Sequence, residues 1–213
     1  MKNLPMYKRF SVPSEVPGSV KDNNVDIAML PAALARAVAE QWQMVPVSAH
    51  SKFASLTRSR LASPSCDPAD IVRWMLQYPD SNWGVETGRA SNLVILEVNH
   101  DNGQESLCSL CEDRWEIWTD TLKFQDTSAT SFLFRYPTWR LRFLSSQFEG
   151  VQVHAGNLVL LPPSWFVAGS PLGYSDLSAN VLDCPEWLQG PEESVRNSAK
   201  VIPFPEPRKG PAL

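Results

Sequence analysis

The chain has 213 residues, 43% hydrophobic and 20% charged, with eight Trp and a formal net charge of −4. That length and apolar content allow one domain with a real core. The charge sum excludes a uniformly basic nucleic-acid coat, and no apolar run approaches the ~20 residues of a membrane span, so no membrane partner is expected.

Residues 1–24 are rich in Pro, Ser, Lys and Asn without periodicity, which predicts an extended lead-in. "MKNLPMYKRFSVPSEVPGSV" has no signal-peptide core, so a soluble, cytoplasmic protein is expected. "LPAALARAVAEQW" predicts a strong helix, with Pro31 in its first turn and Ala and Leu inside. "QMVPVS" follows as a short strand, and the polar, Ser-rich segment 49–66 as a long loop. "SCDPADIVRWMLQYPDS" is a second helix, capped by Asp67, with Pro68 at its first position and Ile71, Met75 and Tyr78 on one face. "NWGVETG" reads as strand and turn, with Gly84 and Gly88 in tight turns, and "NLVILEV" as a buried strand. "GQESLCSLCEDRWEIW" predicts a third helix. "SATSFLFRYP" and "WRLRFLSS" look like an antiparallel pair, and "GVQVHAGNLVLLPPS" like a hairpin stopped by its double Pro. From residue 191 the chain is a polar, Pro-rich tail, docked lightly or disordered. Helices early and strands late predict an α+β domain over 25–190 with a mostly antiparallel sheet flanked by helices.

Cys66, Cys108, Cys111 and Cys184 lack the second pair or nearby His of a zinc site, so they read as small apolar residues. Charge is unevenly spread. Residues 41–66 and 127–148 contain no acid but carry Lys52, Arg58 and Arg60, and Arg135, Arg140 and Arg142. Residues 97–120 hold seven acids and one Arg. This is either ordinary surface patterning or a basic face for a polyanion.

The buried strand ends in "EVN". Residues i and i+2 of a strand point to one face, so Glu97 and Asn99 are delivered together, as two metal-binding carboxylates would be. One of the two is not an acid.

Several stretches resemble, in order, the N-terminal domain of bifunctional DNA primase/polymerases, the prim-pol branch of the archaeo-eukaryotic primase superfamily. They are "LARAVAEQWQMVPVS", the "DPADIVRW" helix, "NWGVETGRASNLVILEV", "SFLFRYP" and "GVQVHAGNLVLLPPSWFVAGSPLGY". The resemblance implies a primase-polymerase-like fold and template-directed nucleotidyl transfer with Mg²⁺ or Mn²⁺. Two Asp at the end of the central strand and a third on a later strand would hold the ions, and a His would touch the nucleotide phosphates. Hard ions of this kind want anionic oxygen, and they clamp the attacking and leaving oxygens of an in-line displacement.

Carried over, the acidic triad falls on Glu97, Asn99 and Gln152, and the His on Ser131. Two carboxylates have become amides. At an effective dielectric near 20, each lost unit-charge contact at about 4 Å is worth on the order of 4 kcal/mol before desolvation. Glu97 and Asp101 remain to hold a metal if one binds, with His100 and Glu149 as further candidates. Nucleotide contacts are expected from Ser131, Arg89, Lys52 and His154, where His154 is otherwise an ordinary strand residue and Lys52 a loop lysine. Ser164 matches the family and equally suits a turn.

Three functions follow. The first is a catalytically silent primase-like domain, without a metal cofactor, that binds DNA, RNA, nucleotide or a replication protein. The second is an active polymerase with altered ligands, requiring Mg²⁺ or Mn²⁺. The third is a protein-interaction module using exposed Trp and the tail "VIPFPEPRKGP". Trp83, Trp139 and Trp165 stack on bases in one reading and fill the core in another.

Overall fold

The structure, a computed structural model, describes residues 30–48, 59–111, 118–142, 148–164 and 172–190. The lead-in, the tail, Lys52, Arg58 and Trp165 lie outside the described residues. Among those described, no helix is long and apolar enough to cross a membrane.

Helix α1 (Ala32–Ala39) starts on the Pro31 carbonyl, which accepts the N–H groups of Leu34 and Ala35 at 2.9 Å. It buries Leu34, Ala37 and Val38. The exit uses Gln41 at φ 59°, and Trp42 N–H returns to the Ala37 carbonyl at 3.0 Å. Strand β1 (Met44–Val47) follows. The predicted loop is not structureless throughout: Ser65 pairs with Met44 and Arg60 with Val47, so its second half covers the outer edge of β1. Helix α2 (Pro68–Gln77) begins as its sequence requires, with Asp67 Oδ1 accepting the Ala69 N–H at 2.8 Å. Ile71 and Trp74 are its buried residues.

Strands β2 (Asn82–Glu86) and β3 (Leu93–Asn99) are joined by a turn containing a 3-10 helix at Arg89–Ser91. Helix α3 (Gly103–Cys111) comes next, then β4 (Lys123–Gln125), β5 (Ala129–Arg135), β6 (Val151–His154), β7 (Leu158–Leu161), β8 (Gly173–Tyr174) and β9 (Leu182–Asp183). They form a smaller sheet of order β1-β2-β7 and a larger one of order β6-β3-β5-β4-β8, with β9 beside β5. Among the named strand pairs only β5 with β9 is parallel, so the α+β class with antiparallel sheets is observed.

Two predicted pairings are different. The apolar runs either side of "AGN" do not form a hairpin. β6 pairs with β3 and β7 with β2, so the strands lie in different sheets. Both arms of one antiparallel ribbon, β2–β3 and β6–β7, bend together from sheet to sheet. Thr87 locks the bend: its hydroxyl accepts the N–H groups of Gly156 (2.9 Å) and Asn157 (3.1 Å) and donates to the Asn157 carbonyl (2.9 Å). The partners of β5 are β3, β4 and β9; in the "WRLRF" segment Leu141 makes a bridge to Gln189, and residues 143–147 lie outside the described set. Short-range alternation identifies a strand but not its partner.

The larger sheet is the middle layer. One face packs with α1, α2 and the smaller sheet through Leu93, Ile95, Leu122, Phe124 and Leu133. The other packs under α3 through Val94, Leu96, Val98, Phe132 and Phe134. Leu93, Val94, Ile95 and Leu96 are all fully buried, and each such side chain stabilises by roughly 2 kcal/mol. Covered on both faces, β3 must read as an unbroken apolar run.

Candidate nucleic-acid and nucleotide site

The site begins where that run fails. Leu93 and Ile95 face the first core, and the next two positions on the same face are Glu97 and Asn99. In the register, Glu97 stands opposite Ser131 on β5 and Gln152 on β6. Gln152, Glu97 and Ser131 therefore form one row across three strands spaced about 4.8 Å apart. Ser131 is buried, the Glu97 side chain is 35% exposed, and Gln152 is exposed. His154, two residues after Gln152, shares the face and brings Nε2 to 3.3 Å from Glu97 Oε2. The contact lacks the alignment of a full hydrogen bond, so it is a close electrostatic approach. The register and this contact bring Glu97, Gln152, Ser131 and His154 to one face of the sheet.

Asn99 is placed differently. Its Oδ1 accepts the Asp101 N–H at 2.8 Å, so the oxygen closes the turn into α3. Its own N–H donates to the Gly150 carbonyl at 2.8 Å. Asp101 is exposed beyond that turn. His100 Nε2 lies 3.0 Å from Thr130 Oγ1, and Glu149 Oε1 accepts from Asn102 Nδ2 at 3.1 Å. His100 and Glu149 thus have local partners, and Asp101 contributes its backbone N–H to the turn. Among the described residues, no three His, Cys, Asp or Glu side chains gather to hold a metal ion. One carboxylate, two amides and one histidine do not fit a pair of hard divalent ions.

Gly103 and Gly150 set the distance between α3 and the start of β6. A Cβ on Gly103 would stand 2.5 Å from the Gly150 carbonyl oxygen, and Gly150 has φ 74°. Gly88, at φ 104°, meets Gly156 in the ribbon bend, as its turn assignment requires. Gly84 is not in a turn. It lies inside β2, where a Cβ would be 2.8 Å from Leu158 Cδ1.

Arg89 is exposed at the opposite end of β3, about 13 Å along the strand from Glu97 to Leu93 and then one turn further. Its guanidinium lies 5.9 Å from the Tyr136 ring centroid. Arg135, opposite Leu93, is exposed at that same end. Arg142 sits 5.3 Å from the Phe148 ring centroid, while Arg60 pairs with Glu86 at 2.5 Å. Arg89 thus stands at the opposite end of β3 from Glu97, the end that also carries Arg135.

Ser164 belongs to the core. Its hydroxyl accepts the Trp83 N–H (2.8 Å) and donates to the Trp83 carbonyl (3.0 Å), pinning β2 to the Pro-Pro-Ser turn. Trp42, Trp74 and Trp83 are buried, and Trp139 and Trp187 are partly buried. Cys111 and Cys184 are buried as expected, but Cys108 is exposed and Cys66 half-buried.

Thr87 and Asn157 carry no motif and were legible in sequence only as turn residues. They hold the bend, and Asn157 Nδ2 reaches His154 Nδ1 at 3.3 Å. A separate open cavity of about 440 Å³ lies at the β4 edge and includes none of the predicted site residues. Its Asp176 is held below the ordinary carboxylate range by the Ser178 hydroxyl and backbone N–H, and its Lys123 Nζ donates to the Thr119 carbonyl at 3.0 Å.

No curated protein is significantly similar to the chain. One family model matches, described as the N-terminal region of bifunctional DNA primase/polymerase, over residues 34–187. That span contains every element from α1 to β9 except the first two residues of α1, together with the whole Gln152–Glu97–Ser131 row. The chain belongs to the bifunctional DNA primase/polymerase N-terminal family.

Proposed function

We propose that this domain binds nucleic acid on a primase-like frame without transferring nucleotides. The carrying observation is the composition of the row: Glu97 is its one carboxylate, Gln152 is neutral, and the neighbouring Asn99 oxygen is already spent on Asp101 N–H. A free nucleoside triphosphate would bring several negative charges toward an uncompensated Glu97. A polynucleotide can place its phosphates elsewhere and its bases or sugars near the row. The exposed Arg89 and Arg135 at the far end of β3 supply cations for such phosphates.

Primer extension with Mg²⁺ and with Mn²⁺ tests the catalytic half, and no incorporation above background is expected. Robust incorporation that Glu97→Ala abolishes would reverse the reading. Fluorescence anisotropy with single-stranded DNA tests the binding half, and affinity must fall steeply as salt rises. Salt-independent binding, or none, would remove nucleic acid from the proposal.

A further inference from the structure

Glu97 is not only isolated from other acids; one of its oxygens is already faced by the protein. His154 Nε2 is a buried atom 3.3 Å from Glu97 Oε2. The other ring nitrogen, Nδ1, lies 3.3 Å from Asn157 Nδ2. An amide NH₂ can only donate, so Nδ1 is the acceptor and a ring proton sits on Nε2, the nitrogen 3.3 Å from Glu97 Oε2 though not aligned for a full hydrogen bond. The Asn157 backbone is fixed, because its N–H and carbonyl are both bonded to the Thr87 hydroxyl. The imidazole lies between the ribbon bend and the carboxylate.

We infer that His154 is a plug: its Nε2–H occupies the place beside Glu97 that a divalent cation would need, so the row is closed to metal by geometry as well as by loss of acids. A hard cation must approach a carboxylate oxygen to about 2.0–2.6 Å and bring waters with it. With a ring nitrogen 3.3 Å from that oxygen, the ion enters only if the ring swings away and gives up Asn157. A protonated Nε2 also offers the ion no lone pair. Placing acids at 99 and 152 would therefore give only weak metal binding while His154 remains. The inference rests on the non-catalytic reading and assigns His154 the role of a positioning residue.

The test compares Mn²⁺ binding, read as loss of the free-ion paramagnetic resonance signal, in three full-length chains. These are the natural chain, N99D/Q152D and N99D/Q152D/H154A, each checked for a cooperative thermal transition. The double variant should bind Mn²⁺ weakly, and removal of the ring should tighten binding by about tenfold or more. Equal affinity in the double and triple variants overturns the plug, and so does failure of both to bind. Saturable binding by the natural chain that Glu97→Gln abolishes would sink the non-catalytic reading itself. A second measurement needs no multiple variant. Long-range ¹⁵N–¹H correlation on the natural chain should show His154 as the Nε2–H tautomer, with the Nε2 resonance moved by Glu97→Gln. An Nδ1–H tautomer, or an unmoved resonance, defeats the inference.

Discussion

Single atoms decide the character of this site. Asn99 ends the central strand on the Glu97 face, but its side-chain oxygen bonds the Asp101 N–H and faces the turn. Ser164 shows the reverse: a residue that resembles a site position is a core staple. Ser164→Ala leaves the Trp83 N–H buried without its acceptor and should cost about 2 kcal/mol, read as a lowered denaturant midpoint at unchanged m. Burial pushes the Cys184 thiol up to about 12. The native state then holds a proton that the unfolded chain releases above the ordinary thiol value. The stability this contributes is full below about pH 9 and is lost at up to ~1.4 kcal/mol per pH unit as pH rises toward 12. Urea melts at pH 8 and pH 10.5 should show this slope, and Cys184→Ala should flatten it. In the same native chain, iodoacetamide should label exposed Cys108 well before Cys184.

At the scale of elements, helices declare themselves locally and strand partners do not. α2 follows from Asp67, Pro68 and an apolar face, all within a dozen residues. Asp67→Ala should lower stability by about 1 kcal/mol in thermal or urea melts, because the Ala69 N–H loses its cap. β6 and β7 look like a hairpin because each is apolar and a short polar turn separates them. Their separation into two sheets depends on β2 and β3, about 50 to 80 residues earlier, bending at the same level. The gap between α3 and the turn before β6 is likewise set from a distance. Gly103→Ala would drive a methyl group toward the Gly150 carbonyl, forcing β6 away from β3 or costing about 1–3 kcal/mol. A crystal structure of that variant, or loss of the His154 shift response to Glu97→Gln, would register the displacement.

Across the whole molecule, charge is sorted to two ends of the central strand. Glu97 and Asp101 lie near one end, and Arg89 and Arg135 lie at the other. Arg135→Ala should weaken single-stranded DNA binding about equally for all sequences and reduce the slope of log K against log salt by about 0.7–1. An unchanged slope would move the phosphate track elsewhere. The local pattern of apolar and polar residues determined the helices, the buried central strand and the α+β class, because these depend on residue type and short spacing. Tertiary structure alone decided that Gln152, Glu97 and Ser131 share a row, that Arg89 stands apart from it, and that His154 meets Glu97. Those facts depend on strand register between segments about 30 to 60 residues apart, which side-chain periodicity within one segment does not encode.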